Sequence, residues 1–199
     1  MKNYINGQWA ATTGSTEIAV INPRSEQALA YFIAASPHDV DAAVEAANQA
    51  LESWSNTSAA ERAAWLNKIA DALEQSKDKL VELSHHNNGK SISQAKVDVD
   101  NSIKCYRYYA DLVQKFAFSK TSQTDHGTEL THQQNPVGVV ALITPWNFPL
   151  ITSAWKIAPA LAAGCTLVFK PSELVPLPEL EFIKLLNQID FPQGVFNLV

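Results

Sequence analysis

The sequence predicts an α/β fold, in which an incomplete doubly wound parallel sheet follows a β-hairpin arm and long helices. Three observations support this prediction. An Asn-Gly turn separates two short runs near the start, capped helical segments occupy the middle, and apolar runs alternate with helical segments after Pro136. Strand, helix, strand, helix, strand within roughly 60 residues is the order of a parallel sheet with crossover helices. The sheet is expected to be incomplete because sheets of this class usually have about five or more strands.

The first segment of the chain is predicted to form short strands. Tyr4-Ile5 and Gln8-Trp9 flank Asn6-Gly7, the commonest two-residue hairpin turn. Residues 18–21 are a second apolar run, which stops at Asn22-Pro23. These residues predict a β-rich arm at the entry to the fold.

A capping pattern then predicts the first helix. Ser36 supplies an N-cap, Pro37 occupies the first helical position and Asp39 places an acid in the first turn. The Ala-rich segment over residues 40–54 is therefore expected to be helical.

Two more capping patterns follow. Ser58 and Glu61 form a capping box ahead of a helix that we expect to run over residues 59–83. Ser91 and Gln94 form another, ahead of one long amphipathic helix. Its apolar stripe consists of Ile92, Ala95, Val99, Ile103, Tyr106, Ala110 and Val113.

The segment after this helix changes character twice. Residues 119–134 are polar, which predicts an extended or hairpin segment that leaves the main body. Residues 137–143 are continuously apolar, as is typical of a parallel strand buried on both faces. The remaining predicted elements are a helix over 150–163 ending at Gly164, a strand over 166–169, a helix over 178–188 and a strand over 195–199.

Composition limits the classes of function. The 199 residues are 46% hydrophobic and carry a formal net charge of -5 without a Lys or Arg run, so neither nucleic acid nor an anionic membrane is an expected partner. No apolar stretch approaches the roughly 18 residues that span a bilayer, and residues 1–7 lack an apolar signal core. The two cysteines, Cys105 and Cys165, do not form a disulfide framework. A cytoplasmic protein is therefore expected.

A binding site is expected where the parallel strands end. Ligands of open parallel sheets bind beyond the carboxyl ends of the strands, which here means after Ile143 and after Phe169. The two segments at these points are Thr144-Pro145-Trp146-Asn147-Phe148-Pro149 and Lys170-Pro171-Ser172-Glu173. The seven glycines include no Gly-x-Gly-x-x-Gly, so the usual dinucleotide fingerprint is absent from these residues.

These two loops and residues 154–166 between them resemble the NAD(P)-dependent aldehyde dehydrogenases. Weaker resemblance covers the rest of the chain, including Tyr4-Ile5-Asn6-Gly7, Gly89-Lys90 and residues 192–197. Residues 143–147, 155–166 and 97–100 are most similar to the betaine-aldehyde and aminoaldehyde branch, with an aliphatic aldehyde or semialdehyde as the alternative substrate. Asn87-Asn88 departs from the acid that most members have before Gly-Lys.

The resemblance implies a division of the chain into three segments. Residues 1–118 would form the β-arm and helical part of the cofactor domain, residues 119–136 an oligomerisation hairpin, and residues 137–199 the start of the Rossmann-like sheet. A typical member is more than twice as long, so we expect an amino-terminal portion without the catalytic domain. The full-length form is expected to be a homodimer or homotetramer that acts on a small aldehyde. The alternative is an inactive remnant that only associates with complete subunits.

The resemblance also implies residue roles. In the family's reaction a cysteine thiolate attacks the aldehyde, hydride passes to the nicotinamide, and a glutamate assists hydrolysis of the thioester. Asn147 matches the amide donor that stabilises the oxyanion, although asparagine in a turn often bonds to its own backbone instead. The nucleophilic cysteine and the general-base glutamate have no match in these residues, since Cys165 opens a buried strand and Cys105 lies on a helix.

The implied cofactor site combines both loops. Ile143, Thr144, Pro145 and Trp146 would line the cofactor cleft. Lys170, Pro171, Ser172 and Glu173 would meet the adenosine ribose. A carboxylate at Glu173 can accept both ribose hydroxyls but repels a 2′-phosphate, which favours NAD over NADP.

Two further roles follow from the resemblance, each with a simpler alternative. Lys156 matches a proposed charge relay but could be a solvated helix side chain. Val20 and Asp98 match positions that bind a monovalent cation, K+, in some betaine aldehyde dehydrogenases, but Asp98 could be a plain surface acid. His85-His86 lacks metal-ligand spacing and is interpreted as a solvated helix end.

Overall fold

The computed structural model describes residues 2–199. The predicted strands and helices are present in the predicted order, together with a strand at Ala28–Ile33 that was not predicted and a division of the second helix. The helices are α1 (Pro37–Ser55), α2 (Ala59–Gln75), α3 (Lys77–Asn88), α4 (Ile92–Lys115), α5 (Pro149–Ala162) and α6 (Leu177–Gln188). The strands are β1 (Asn3–Ile5), β2 (Gln8–Ala10), β3 (Glu17–Ile21), β4 (Ala28–Ile33), β5 (Ser119–Gln123), β6 (Glu129–Gln133), β7 (Val139–Ile143), β8 (Thr166–Lys170) and β9 (Phe196–Leu198).

One mixed sheet organises the molecule, with strand order β2-β1-β9-β8-β7. The pairs β7–β8 and β8–β9 are parallel, as predicted, whereas β1 is antiparallel to both β2 and β9. The β1–β2 turn has Asn6 and Gly7 at φ 51° and 76°, the left-handed conformation that an Asn-Gly hairpin requires. The sheet and its flanking helices confirm the α/β fold class.

The position of β1 corrects one expectation from the sequence. The hairpin predicted around Asn6-Gly7 is present, but it does not form a separate arm, because Tyr4 of β1 pairs with Leu198 of β9. The amino-terminal hairpin therefore extends the sheet instead of standing apart from it. Among residues 2–199 the unpaired edge of the parallel portion belongs to β7.

Helices cover both faces of the sheet. On one face Ala43 and Ala47 of α1 pack against Val168 of β8. On the other face α2, α4, α5 and α6 form a thick helical layer around the main core. The largest fully buried side chains of this core are Tyr106, Phe169, Phe196, Leu66, Ile69, Leu73, Leu80, Ile157, Leu161, Leu167, Ile183 and Leu186.

The burial of the two leading parallel strands differs from the prediction. Residues 166–169 of β8 are buried on both faces, as expected, but in β7 only Leu142 is buried. Ala141 and Ile143 are exposed, and Ile143 is 67% exposed. The cause is position in the sheet, because β8 is central and β7 lies at an edge.

The helix expected over residues 59–83 is divided into α2 and α3. Ser76 leaves the helical conformation, with φ −103° and ψ 12°, and its amide bonds to the Ala72 carbonyl at the end of α2. The break redirects the apolar stripe, so that Leu80 and Val81 of α3 join the core. The N-cap predicted at Ser36 and the capping box predicted at Ser58 are present. At Ser91 the side chain accepts from the Gln94 amide, but the reciprocal half of the predicted box is not formed.

The predicted hairpin after α4 is confirmed as β5 and β6. Ser119 pairs with Gln133 and Gln123 with Glu129 in an antiparallel ladder. Every residue of both strands is exposed. No helix among the described residues is both long and apolar enough to cross a bilayer.

Asp39 ties the segment before α1 to the helix N-terminus. Its carboxylate accepts hydrogen bonds from the Ser36 amide, the Thr12 hydroxyl and the Thr13 amide at 2.8, 2.8 and 3.0 Å. Burial by itself raises the pKa of this carboxyl. The hydrogen bonds outweigh burial and hold the pKa well below its usual range.

Asp39→Asn should lower the free energy of unfolding at pH 7 by about 1–2 kcal/mol, because the charge-assisted hydrogen bonds become neutral ones. A depressed folded-state pKa means that the stabilisation is present above the unfolded pKa of about 4 and is lost as pH falls. Urea denaturation measures the free energy of unfolding of variant and wild type at pH 7 and pH 3. The difference between the two proteins should be smaller at pH 3 than at pH 7. An equal difference at both pH values would contradict this assignment.

Candidate functional site

The two loops predicted to form a site begin side by side. Parallel pairing places Ile143 opposite Lys170 at the carboxyl ends of β7 and β8. The Thr144 amide then donates to the Lys170 carbonyl at 3.3 Å. The first loop (residues 144–148) and the second loop (residues 170–173) therefore leave the same edge of the sheet.

The first loop presents a free carboxamide. Thr144 is buried at its base, whereas Trp146, Asn147 and Phe148 are exposed. Among residues 2–199 the Asn147 side chain bonds to no protein group, so it does not close its own turn. The carboxamide is available to an external acceptor.

The second loop presents an ion pair. The Lys170 ammonium lies 3.2 Å from the Glu173 carboxylate and donates to the Pro171 carbonyl at 3.0 Å. A hydrogen bond from its own backbone amide, and then Lys170, lower the pKa of Glu173. Ser172 is buried and its hydroxyl accepts from the Leu174 amide at 3.3 Å. Glu173 is thus an exposed, ionised acceptor on a fixed turn.

A cleft of about 510 Å³ opens at the carboxyl ends of β8 and β9. Residues 170–173 form part of its wall, and most of the remaining lining is apolar, including Phe32, Val40 and Leu180. None of residues 144–148 lines it. The cleft therefore adjoins the second loop but not Asn147.

A buried ion pair lies beneath the first loop. Asp98 is fully buried, so the alternative of a plain surface acid is wrong. One carboxylate oxygen lies 3.3 Å from the Lys90 ammonium, and the other accepts the Ile151 amide in the first turn of α5 at 2.9 Å. Burial raises the pKa of Asp98, and Lys90 opposes that effect. Asp98 thus holds the start of the helix that follows Asn147.

A second buried carboxyl lies in the same region. Glu179, in the first turn of α6, is fully buried, and Ser153 donates to its Oε1 at 3.4 Å. Its Oε2 has no partner among the described residues. Ser153 also lies 3.5 Å from the Thr144 hydroxyl at the base of the first loop. Burial, with the nearby charge of Asp98, raises the pKa of Glu179 well above its usual range.

The sequence did not single out the turn between α3 and α4, which contacts the first loop and the segment just after the second loop. Asn87 bonds to the Leu174 carbonyl and the Leu177 amide, just after the second loop. Asn88 donates to the Trp146 carbonyl at 2.6 Å. The available signal was the Asn-Asn-Gly sequence that ends α3, where Gly89 adopts φ 80°.

The other predicted site residues, Lys156 and Val20, make none of these hydrogen bonds or ion pairs. Lys156 is exposed on α5, and Val20 is fully buried in β3. No cluster of three or more His, Cys, Asp or Glu side chains in residues 2–199 is placed to hold a metal ion. Both cysteines are buried, and burial raises the pKa of Cys105 to about 11, so that thiol stays protonated at neutral pH.

Comparison with known proteins identifies a family. The sequence profile of the aldehyde dehydrogenase family matches residues 9–199. Aminoaldehyde dehydrogenase 2 of Solanum lycopersicum is 39% identical over 98% of this chain and 40% of its own length. Chloroplastic betaine aldehyde dehydrogenase of Beta vulgaris is 38% identical over 98% of this chain and 41% of its length. This chain therefore spans about two fifths of these relatives.

Solved structures agree with the sequence comparison. A mutant betaine aldehyde dehydrogenase of Staphylococcus aureus in complex with NAD+ matches all of this chain and 41% of its own, with a TM-score of 0.94 and 34% identity. A mutant aldehyde dehydrogenase C of Pseudomonas syringae with NAD+ and octanal matches 100% of this chain and 40% of its own, with a TM-score of 0.93 and 40% identity. Some plant relatives are named chloroplastic or peroxisomal, so a cytoplasmic location stays a prediction.

Glu179→Gln should stabilise the chain at neutral pH, because the folded state must either keep Glu179 protonated or bury its charge. Above the unfolded pKa of about 4.3 the folded state holds a proton that the unfolded state releases, so stability falls as pH rises towards the raised folded pKa. Glutamine removes that loss. In urea denaturation between pH 5 and pH 8, the free energy of unfolding of the variant should increasingly exceed that of the wild type as pH rises. The difference should grow by at most about 1.4 kcal/mol per pH unit.

Glu181→Gln is the matched control on the same helix. Burial raises the pKa of Glu181, but hydrogen bonds from Lys79 and Lys184 outweigh it and lower the pKa. This substitution should destabilise the chain at neutral pH, with a difference that shrinks in acid. A Glu179→Gln variant that is less stable than wild type at pH 8 would show that Glu179 acts as a buried charge.

Proposed function

The chain belongs to the aldehyde dehydrogenase family, and we propose that it forms the cofactor-binding and oxyanion-stabilising part of an NAD-dependent enzyme. That enzyme oxidises an aldehyde to a carboxylic acid. The observation that carries the proposal is the exposed, unpartnered carboxamide of Asn147 at the sheet edge where Lys170 and Glu173 also lie. The Asn147 carboxamide has no partner among the described residues, and Glu173 is an exposed acceptor, so both suit a ligand that crosses this edge.

Asn147 is proposed to stabilise developing negative charge on the aldehyde oxygen. Attack on a carbonyl converts its oxygen into an oxyanion, and a fixed N–H donor lowers the free energy of that state by about 3–4 kcal/mol. The Asn147 side chain has free donors, and its loop is held by Pro145, by Pro149 and by the buried start of α5. A donor whose position is fixed before reaction needs no reorganisation when charge develops.

The cofactor is proposed to lie along the first and second loops. Glu173 and Lys170 can bond to the hydroxyls of the adenosine ribose, with Pro171 and Ser172 shaping the turn. Ile143, Thr144, Pro145 and Trp146 would contact the cofactor on the first-loop side, beyond the 510 Å³ cleft. The 67% exposed Ile143 offers an apolar surface at an open strand edge, which fits a flat ring system. When bound, NAD would accept the hydride of the aldehyde carbon.

The substrate is proposed to be betaine aldehyde or an aminoaldehyde. The support is the naming of several relatives at 38–39% identity. An aliphatic aldehyde is the alternative, favoured by the octanal-bound relative at 40% identity. A cationic aldehyde is compatible with the formal net charge of -5.

Three lesser assignments accompany this proposal. Lys156 would act as a charge relay, which its exposure allows. Val20 and Asp98 would contribute to a K+ site through a backbone carbonyl and the acid. The exposed hairpin of β5 and β6 would join protomers of a homodimer or homotetramer, because a two-stranded ladder with free edges pairs readily with another strand.

The alternative function is that of a non-catalytic portion. In these 199 residues the two cysteines are buried, so neither is placed to attack an aldehyde. We therefore expect the 199-residue chain alone to form no NADH from betaine aldehyde and NAD. NADH formation that is abolished by Asn147→Ala would refute this expectation.

The oxyanion role can be tested in a hybrid, made by joining this chain to the remaining carboxyl-terminal part of the Staphylococcus aureus betaine aldehyde dehydrogenase. Asn147→Ala should lower kcat by about 10²- to 10³-fold, because one oxyanion donor is lost. Stability should change by less than about 0.5 kcal/mol, since the side chain is exposed and unpartnered. Asn101→Ala, at an exposed position on α4, is the matched control. Equal kcat values for the two variants would exclude the role.

Cofactor preference can be tested at Glu173 in the same hybrid. Glu173→Gln should tighten NADP binding by about five-fold, because a like-charge repulsion of about 1 kcal/mol with the 2′-phosphate disappears. Titration calorimetry with NAD and NADP measures both affinities. Glu52→Gln, an exposed acid on α1, controls for net charge. An unchanged ratio of NADP to NAD affinity would place the ribose elsewhere.

A further inference from the structure

One short turn contacts the first loop and the segment that directly follows the second loop. This junction turn comprises residues 87–90, between α3 and α4. Gly89 adopts φ 80°, and a Cβ at this position would lie 2.7 Å from Cγ of Pro23. The His85 ring bonds to the Lys90 carbonyl at 2.6 Å and closes the turn. The left-handed glycine and this closure hold the side chains on either side of Gly89 in fixed directions.

The first half of the junction turn fixes the segment after the second loop. Asn87 is 1% exposed, and its amide donates to the Leu174 carbonyl at 3.2 Å. Its side-chain oxygen accepts the Leu177 amide at 3.0 Å. A single carboxamide therefore joins the residue after Glu173 to the first turn of α6.

The second half of the junction turn fixes the first loop. Asn88 donates to the Trp146 carbonyl at 2.6 Å. The Lys90 ammonium lies 4.2 Å from the centre of the Phe148 ring. These two contacts hold the residues immediately before and after Asn147, but neither touches the Asn147 carboxamide.

Lys90 is anchored from below. Its ammonium pairs with Asp98 at 3.3 Å, and Asp98 also accepts the Ile151 amide at 2.9 Å. Lys90 and Asp98 are 8% and 0% exposed. A buried ion pair with both partners hydrogen-bonded is costly to disturb, so Lys90 has a fixed position under the Phe148 ring.

We propose that the junction turn positions the two loops separately, with Asn87 holding the loop that carries Glu173 and Asn88 with Lys90 holding the loop that carries Asn147. The functional meaning of this proposal rests on the proposed roles of Asn147 and Glu173. The residues of the turn are positioning residues, because their contacts are to loop backbone and ring and not to the reacting group.

Backbone 15N relaxation of the 199-residue chain tests the proposal without requiring activity. In Asn88→Ala and Lys90→Met, order parameters at residues 146–148 should fall from about 0.85 to below about 0.6, while those at residues 173 and 174 stay unchanged. Asn87→Ala should give the reverse pattern. Asn67→Ala removes a hydrogen-bonded asparagine from α2 and should change neither loop.

Loosening of both loops together in every variant, or of neither loop, would overturn the proposal. Asn88→Asp covers a folding defect in the alanine variant, because it keeps the size of the side chain but cannot donate to the Trp146 carbonyl. It should reproduce the selective loss at residues 146–148.

Kinetics of the hybrid supply the readout that a purely structural role would not move. Asn88→Ala and Lys90→Met should lower kcat by up to about 10²-fold with little change in KM for NAD, because Asn147 is misplaced. Asn87→Ala should raise KM for NAD and spare kcat. The same change in kcat and in KM for NAD in all three variants would overturn separate positioning. The two proposals can fail separately. If the variants of the junction turn loosen one loop selectively but Asn147→Ala keeps full kcat, positioning is supported and the oxyanion role is refuted.

Discussion

The parallel pairing of β7 with β8 is the constraint on which the rest of the site depends. Two adjacent parallel strands need a crossover, and α5 provides it between Ile143 and Thr166. The pairing forces both strands to end at one edge, where the Thr144 amide already bonds to the Lys170 carbonyl. A carboxamide on the first loop and an ion pair on the second are therefore brought together by sheet geometry, although they are more than twenty residues apart in the chain.

Buried ionisable groups beneath the first loop make its position specific. Lys90 and Asp98 form a pair, and burial together with the charge of Asp98 raises the pKa of nearby Glu179 well above its usual range. Replacing both members of a buried ion pair by apolar side chains often preserves or increases stability, so stability alone does not explain why Lys90 and Asp98 are buried here. Their contacts reach the start of α5, the Phe148 ring and, through Ser153, the base of the loop at Thr144. The polar network thus defines where Asn147 lies relative to the sheet.

Local sequence chemistry predicted the elements, whereas long-range pairing decided their environment. The caps at Ser36 and Ser58 and the turn at Asn6 depend on neighbours within three residues, and each is present. The pairing of Tyr4 with Leu198 joins opposite ends of the chain, and no local pattern encodes it. Exposure of Ile143 has the same origin, because an apolar run does not reveal whether its strand is central or at an edge.

The site itself was predictable in part. The rule that ligands bind beyond parallel strand ends, with the family resemblance, selected the loops after β7 and β8. It did not select Asn87, Asn88 or Lys90, whose importance comes from contacts with residues 58 to 90 positions away. Asp98 resembled a surface acid because a helical wheel does not reveal a basic partner from another segment.

The edge formed by β7 and β8 is proposed to bind the cofactor, and a crystal structure of the hybrid grown with NAD would show where NAD lies. We expect the adenosine ribose within hydrogen-bond distance of Lys170 and Glu173, and the nicotinamide on the side of the first loop that presents Asn147. Electron density for NAD at another surface, with no contact to Glu173 or Asn147, would exclude this edge as the cofactor site.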